Sequence, residues 1–387
     1  MFLNSISLEI ISVISYFSIF LTIIYVFVVA TFITGWHKIK VFKFDGTLAK
    51  TKVSIIIAAR NEELLIGKTI DDILAQDYNN DLMEVIVIDD HSTDKTSEII
   101  SSYANRGVKL ITLNEANAIN SYKKKAIQTA IGEATGTLII TTDADCRMNK
   151  NWLKTIVNCY EVNGYKMMSS PVAYFEEKSF FEKLQTLEFS YLIGLGASTI
   201  GNNNPSTCNG ANLAYEKDAF FEVGGFTGID DLASGDDELL LHKMAAIYDR
   251  KIGFLKSLDA TVYTHAKPTL REFIQQRKRW ASKTTKYKDK VVMILGASIW
   301  LFNVSMLLNV ILAIIFPYGE SIYFLALQLL IKVFVEMIFL ASVTKFFKRK
   351  PLLFLLPILN PLHILYFVYI GIAGNSGKYD WKGRTVK

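Results

Sequence analysis

An open, mostly parallel α/β sheet, flanked by apolar segments long enough to cross a bilayer, is the fold class this sequence predicts. Three observations carry the prediction. Between residues 51 and 145, continuous apolar runs of strand length alternate with amphipathic runs at helical spacing. Acidic and polar residues leave three of those strands directly, where open α/β sheets bind their ligands. Four apolar segments of roughly 20 residues or more stand outside residues 51–290.

The elements follow in order. Residues 53–58 (VSIIIA) are apolar throughout, as a parallel strand buried on both faces requires. In 62–76, Leu65, Thr69, Ile70, Ile73 and Leu74 recur at helical spacing. Residues 85–88 are the next strand, about thirty residues on, the length of a βαβ unit. Asp94 suits the N-cap of a helix over 95–103. Residues 109–113 make a third strand, 124–131 a helix, and 137–142 (TLIITT) a fourth strand bounded by Gly136 and charge.

The ends of the 387-residue chain are greasy. Residues 6–33 hold no Lys or Arg and only Glu9 as a charge; the run is too long, and lacks the leading basic residues, for a cleavable signal peptide. Basic residues come after it, at His37, Lys38, Lys40 and Lys43. Residues 271–290 carry eight Lys/Arg against two acidic residues, and Lys345, Lys348, Arg349 and Lys350 separate the third apolar segment from the fourth. By the positive-inside rule the N-terminus lies outside and the central domain in the cytoplasm, at the inner membrane. The expected organisation is a transmembrane helix over 1–36, a catalytic-size domain over 37–290, two to three membrane segments over 291–374 and a basic tail over 375–387. Residues 352–373 contain Pro357, Asn360, Pro361 and His363, which interrupt a helix. A full crossing there puts Lys378, Lys382, Arg384 and Lys387 outside; a re-entrant or interfacial hairpin keeps them inside. Cys146, Cys159 and Cys208 have no zinc or redox spacing and read as reduced thiols. The net charge of +5 fits juxtamembrane clusters meeting anionic lipid, and no nucleic-acid module is visible.

The chemistry sits at the strand ends. Ala59-Arg60-Asn61-Glu62-Glu63 leaves the first strand, Asp89-Asp90-His91 the second, and Asp143-Ala144-Asp145 the fourth. Carboxylates at three strand ends converge on one cleft and repel unless a cation or hydrogen-bond donors neutralise them. Asp143 and Asp145, two residues apart on a loop, can both reach one Mg²⁺ or Mn²⁺, ions held by one or two carboxylates plus substrate phosphates. An Asp-x-Asp triplet alone is weak; the set points to a metal–diphosphate site. Asp94 by itself reads as a helix cap. No Gly-rich phosphate loop is present, which disfavours dinucleotide and P-loop readings.

VSIIIAARNEE, VIVIDDHSTDKT, TTDADC, GDDELL at 235–240 and QRKRW at 276–280 occur in this order. The series resembles membrane-bound inverting glycosyltransferases of family 2, the cellulose- and hyaluronan-synthase-like and ceramide-glucosyltransferase-like enzymes, over about residues 51–290. The resemblance implies a Rossmann-like GT-A fold, a nucleotide-sugar donor (most often a UDP-sugar) and a bound Mg²⁺ or Mn²⁺. By motif, Ala59, Arg60 and Glu62 would line the nucleotide pocket, and Asp89 and Asp90 would contact uracil and ribose. Asp143 and Asp145 would hold the metal on the diphosphate. Asp237 corresponds to the catalytic base; the family commonly has Glu then Asp there, whereas this chain has Asp236-Asp237. Gln276, Arg279 and Trp280 form a QxxRW element beside acceptor and diphosphate.

The residue types suit that reaction. An arginine fork binds the charge that builds on a leaving diphosphate. A carboxylate takes the proton of an attacking hydroxyl, and attack opposite the leaving group inverts the anomeric centre. Trp280 offers a flat face to a sugar ring, or an anchor at the membrane interface. Arg277 and Lys278 read as anchoring charge; residues 123–125 (KKK) either meet phosphate or, the favoured reading, make a solvated helix start, and His265 is either a further metal ligand or, in the favoured reading, a structural histidine. Residues 180–195 are a membrane-surface helix or a core helix; residues 208–212 with Gly224-Gly225-Phe226 are an acceptor-side loop or a simple turn. The expected activity is transfer of one sugar to a lipid or lipid-linked glycan on the cytoplasmic side. A processive polysaccharide synthase is the near alternative; a sugar-nucleotide pyrophosphorylase and a non-catalytic membrane scaffold are the rivals of other classes.

Overall fold

The computed structural model describes residues 2–44, 46, 49–115, 119–317, 319–374, 379–381 and 384–386. Of the basic tail, Lys378, Lys382 and Lys387 lie outside the described residues and Arg384 within them.

The chain enters through α1 (Phe2–Lys38) and then alternates β1 (Val53–Ala59), α2 (Ile66–Leu74), β2 (Met83–Asp89), α3 (Thr96–Ser101), β3 (Val108–Thr112), α4 (Tyr122–Glu133) and β4 (Leu138–Asp143). The rest of the domain is β5 (Arg147–Met148), α5 (Trp152–Asn163), β6 (Met167–Ser169), β7 (Val172–Tyr174), α6 (Phe180–Gly201), β8 (Leu213–Glu216), α7 (Lys217–Glu222), α8 (Glu238–Ile247), β9 (Ile252–Phe254), β10 (Val262–Thr264) and α9 (Leu270–Ser282). Three long apolar helices follow, α10 (Lys290–Ile315), α11 (Ser321–Phe346) and α12 (Leu356–Ala373), and then a hairpin of β11 (Tyr379–Trp381) and β12 (Arg384–Val386).

The main sheet has seven strands in the order β3-β2-β1-β4-β8-β6-β9. β3, β2, β1 and β4 are parallel, and β8 runs antiparallel to both β4 and β6. Register decides where the chemistry lands: Ala59 pairs with Asp89, and Ala58 with Asp143. Three strands therefore end level, and their polar exits share one edge of the sheet. β1 is buried almost throughout, as its unbroken apolar run requires.

Helix boundaries differ from expectation where the site recruits the backbone. The helix expected from residue 62 starts at Ile66, because the Glu62 N–H donates to Thr96 Oγ1 (2.7 Å) and the Glu63 N–H to Asp94 Oδ2 (3.2 Å). The helix expected over 95–103 closes at Ser101, and Gly107, at φ +86°, turns the chain into β3. Of the two readings for residues 180–195, the core helix is the one observed. α6 runs on to Gly201, with Ala197 fully buried and Leu187 buried in a cluster with Leu340, Leu356 and Leu359, and packs on α1, β7 and β9. Glycines make that contact possible, since a Cβ on Gly35 would lie 2.0 Å from the Ser198 carbonyl oxygen.

Four stretches are long and apolar enough to cross a membrane: Ser12–Lys38, Lys290–Ile315, Ser321–Phe346 and Lys350–Ala373. Phe27, Ile294 and Phe334 on their outer faces are exposed, as lipid-facing residues are. Inside, polar groups find partners: Asn309 Nδ2 donates to Ser18 Oγ (3.0 Å) and Gln328 Oε1 (2.8 Å), while Tyr25, Lys332 and Asn360 all donate to Glu336. The fourth stretch differs in placement. Ahead of α12, Arg349 pairs with Glu177 of the domain (3.3 Å). Tyr366 then meets Phe273 edge-on at 5.3 Å, and a Cβ on Gly374 would come within 2.5 Å of the Ala281 side chain. The second half of α12 thus runs beside α9, and both ends lie against the domain.

Candidate active site

The nucleotide side is built from the first two strand exits. Arg60, nearly buried, donates from Nη1 to the carbonyl oxygens of Asp90 and His91, both at 2.8 Å, so a guanidinium locks the two exits together. Asn61 and His91 adopt left-handed φ values of +50° and +54°. The Asn61 side chain accepts from the Thr93 N–H (2.8 Å), which accounts for an asparagine at that turn. Asp89 and Asp90 are buried, and Asp89 Oδ1 accepts from the Ser92 N–H (3.3 Å). Ala59, Arg60, Glu62 and Asp90 line a cavity of about 1130 Å³ that continues to Asp143, Asp145, Asp236 and Asp237.

At the β4 exit the two aspartates have different partners. Lys123 Nζ stands between Asp143 Oδ1 (2.8 Å) and Asp236 Oδ2 (3.2 Å). Burial opposes charge on Asp143, but the Lys123 ammonium, helped by Arg279, holds its carboxyl below the usual range. Burial likewise works against Lys123, yet Asp143 and Asp236 raise its pKa above the ordinary lysine value. Among the described residues the Asp145 carboxylate makes long contacts, accepting from Thr264 Oγ1 (3.4 Å) and Cys146 Sγ (3.9 Å), so its oxygens are the better placed to take a cation. Among the described residues no group of three or more His, Cys, Asp or Glu forms a ready metal cluster. The donor set fits an ion held by two carboxylates and completed by phosphate oxygens and water.

Asp237 caps α8, accepting from the Glu238 N–H (2.7 Å) and, through Oδ2, from the Gly210 N–H (3.0 Å). Gly210 permits this, since a Cβ there would press on Asp236 and Asp237 at 3.3 Å. Lys283 Nζ lies 3.4 Å from Asp237 and 3.1 Å from Glu238. Burial favours the neutral acid, but Lys283, the two N–H groups and Lys123 outweigh it and bring the Asp237 pKa down to about 2. Glu238 is buried and tied up by Thr207, Tyr287 and Lys283, which makes it a structural carboxylate.

From α9, Gln276, Arg279 and Trp280 all line the same cavity. Arg277 corrects expectation. It is buried, not a solvated anchor: it pairs with Glu188 of α6, donates to Gln276 Oε1 (2.6 Å) and stacks on both Phe273 (4.4 Å) and Trp280 (4.3 Å). Tyr366 of α12 donates to the same Glu188. The lysine run is corrected too. Lys125 alone is solvated; Lys123 joins the acidic cluster, and the Lys124 ammonium is buried on the carbonyls of Ile229 (2.7 Å), Leu232 (2.7 Å) and Ser234 (2.6 Å), fixing the loop before Asp236. His265 lines the cavity, stacked on Phe175 at 4.5 Å. The same wall includes the apolar Leu192, Ile193 and Ala197 of α6 and Phe367 and Ile370 of α12. No local signal marks Lys283 or Glu188, and the lysine run at 123–125 does not tell its three members apart: each acquires its role only from what the fold sets beside it.

Residues 54–224, somewhat under half of the chain, match the family described as Glycosyl transferase family 2. Among curated proteins it is 25% identical over 240 residues to the beta-monoglucosyldiacylglycerol synthase of Synechocystis, covering 61% of this chain and 48% of that protein. It is 28% identical over 178 residues to a 4,4'-diaponeurosporenoate glycosyltransferase of Staphylococcus aureus, covering 45% of this chain and 46% of that one. The chain thus spans about half the length of these relatives. Among solved structures, the mannosyltransferase PcManGT from Pyrobaculum calidifontis, in complex with GDP-Man and Mn²⁺, superposes with a TM-score of 0.56 at 19% identity, over 92% of this chain and 99% of that one. The fold is therefore GT-A-like, a mostly parallel central sheet with apolar helices on either side.

Proposed function

We propose that this chain is an inverting, membrane-associated glycosyltransferase that moves one sugar from a UDP-sugar to a hydroxyl of a lipid or lipid-linked acceptor. The observation that carries the reading is the continuity of one cavity. Its wall includes both the carboxylates of Asp90, Asp143, Asp145 and Asp237 and apolar side chains of α6 and α12. A water-soluble diphosphate suits the first set and an acyl or polyprenyl chain the second. The Synechocystis relative is named for a glucosylated diacylglycerol and the Staphylococcus relative for diaponeurosporenoate, both lipids. The Pyrobaculum enzyme was solved with a nucleotide sugar and Mn²⁺.

In this reading Arg60 and the Asp89–Asp90 exit hold the nucleoside. Asp145, with Asp143, would hold Mg²⁺ or Mn²⁺, which when bound neutralises charge on the diphosphate. Trp280 packs against the sugar and Gln276 steadies the Arg277 beneath it. The acceptor oxygen attacks the anomeric carbon, the bond from that carbon to the diphosphate oxygen breaks, and the hydroxyl proton passes to Asp237 or, one residue away, Asp236. Arg279 and Lys123 take up the negative charge of the departing UDP. The reading is tested by UDP release from the detergent-purified chain across nucleotide sugars with a diacylglycerol or polyprenyl-phosphate acceptor. Turnover stops on chelation, returns with Mn²⁺ or Mg²⁺, and yields one product of inverted anomeric configuration by NMR. A ladder of polymers, a retained configuration, or turnover indifferent to chelator would count against it.

A further inference from the structure

We propose that Arg384 is a nucleotide-binding residue, delivered by the hairpin β11–β12 to the donor pocket, where it closes over the nucleoside diphosphate. The inference rests on the donor-site reading above. Arg384 Nη1 lies 2.8 Å from Asp90 Oδ1 and 3.0 Å from Oδ2, pairing a strand-end carboxylate with a residue 294 positions later in sequence. The Asp90 side chain is 2% exposed and that of Arg384 17%, so the contact is internal and not a surface ion pair. The guanidinium also lies over the Tyr122 ring, 3.8 Å from its centre. Tyr122 immediately precedes Lys123, the lysine that holds Asp143, and β11 packs against α9, the helix of Gln276, Arg279 and Trp280. The hairpin therefore touches one residue of the cavity wall, Asp90, and packs on α9, which supplies others.

Electrostatics indicates what belongs there. Arg60 and Arg384 are close enough that, after burial, the second guanidinium is the largest influence lowering the Arg60 pKa. Asp89 and Asp90 offset part of that positive charge, and Arg60 and Asp90 line the cavity, so the pair of guanidiniums favours an anionic ligand entering beside them. Both contacts to Asp90 use Nη1, so the remaining nitrogens of the fork are not engaged by that carboxylate. A planar fork so placed suits phosphate oxygens or the carbonyl edge of a base.

The test titrates the full chain in detergent with UDP in the presence of Mn²⁺, by calorimetry. Arg384→Ala weakens UDP binding about tenfold or more, the loss of one charge-assisted contact, and Arg384→Lys recovers part of it. Unchanged affinity makes the hairpin a structural strap, and tighter binding makes it a plug that excludes the donor; either result overturns the proposal. If Arg384→Ala does not fold, the wild-type chain answers instead: UDP with Mn²⁺ slows modification of Arg384 by phenylglyoxal, read by peptide mass spectrometry, and absent or reversed protection counts against the proposal. Asp143→Ala separates the two readings. If it keeps full UDP affinity, the donor site itself is misplaced; if it loses binding while Arg384→Ala does not, only the role of Arg384 falls.

Discussion

Asp237 receives two backbone N–H groups and stands next to an ammonium, and those three neighbours define what it can do. With a pKa of about 2 it is ionised at every physiological pH, ready to accept a proton, though weakly basic. Asp237→Asn keeps an oxygen for the α8 cap, so the fold and UDP binding survive while turnover falls roughly 10²- to 10⁴-fold, separable by single-turnover kinetics and calorimetry. Turnover that persists at wild-type rate would move the base to Asp236. The pH profile tests the electrostatic part. A carboxyl with a depressed pKa is the active ion above that value and is lost as pH falls through it. Lys283→Met removes the largest influence holding it down, so the pKa rises towards the ordinary aspartate value near 3.8 and the acid limb of kcat/KM moves to higher pH. A limb that stays in place would show that Lys283 only anchors Glu238.

At the scale of elements, α6, α9 and α12 are tied by one buried ionic group. Glu188 and Arg277 are each 5% exposed, and Tyr366 adds a hydroxyl from α12. Removing one member of a buried pair strands the other in a low-dielectric interior, at about 3–5 kcal/mol, whereas replacing both by apolar residues is often close to neutral. Glu188→Leu should therefore lower the melting temperature in detergent sharply, and adding Arg277→Leu should restore most of it. If the double variant melts as low as the single, the pair is not the tie. This element also shows where reading the sequence stops. The spacing of Gln276, Arg279 and Trp280 was legible because motif order carries it. Arg277 inside the same run was read as an anchoring charge, since a basic cluster before an apolar segment looks alike whether it faces lipid headgroups or a carboxylate 89 residues earlier. The lysines at 123–125 repeat the lesson: composition is shared, but one is solvated, one meets Asp143 and one is buried on carbonyls.

At the scale of the molecule, the alternating runs revealed the strands of the parallel half because burial on both faces demands unbroken apolar sequence. The short strands β6, β8 and β9 carried no such signal, at three or four residues each. The four apolar stretches were legible by length and composition, while Pro357 and Pro361 leave residues 352–373 open to two readings. The geometry favours one of them. α1, α10 and α11 pack on one another, whereas Arg349, ahead of α12, pairs with Glu177, and α12 runs beside α9 to end with Gly374 against Ala281. The Arg384–Asp90 pair also requires β12 to share the domain's compartment. If α1, α10 and α11 each cross, as the membrane-associated reading has it, the hairpin falls with the domain and the connection between α10 and α11 opposite. Single cysteines probe this in intact cells with a membrane-impermeant maleimide, against the background of Cys146, Cys159 and Cys208. Glu320→Cys should label from outside, while Lys125→Cys and Thr385→Cys should label only after permeabilisation. Outside labelling of Thr385→Cys would make α12 a fourth crossing, and Arg384 could not then reach the nucleotide.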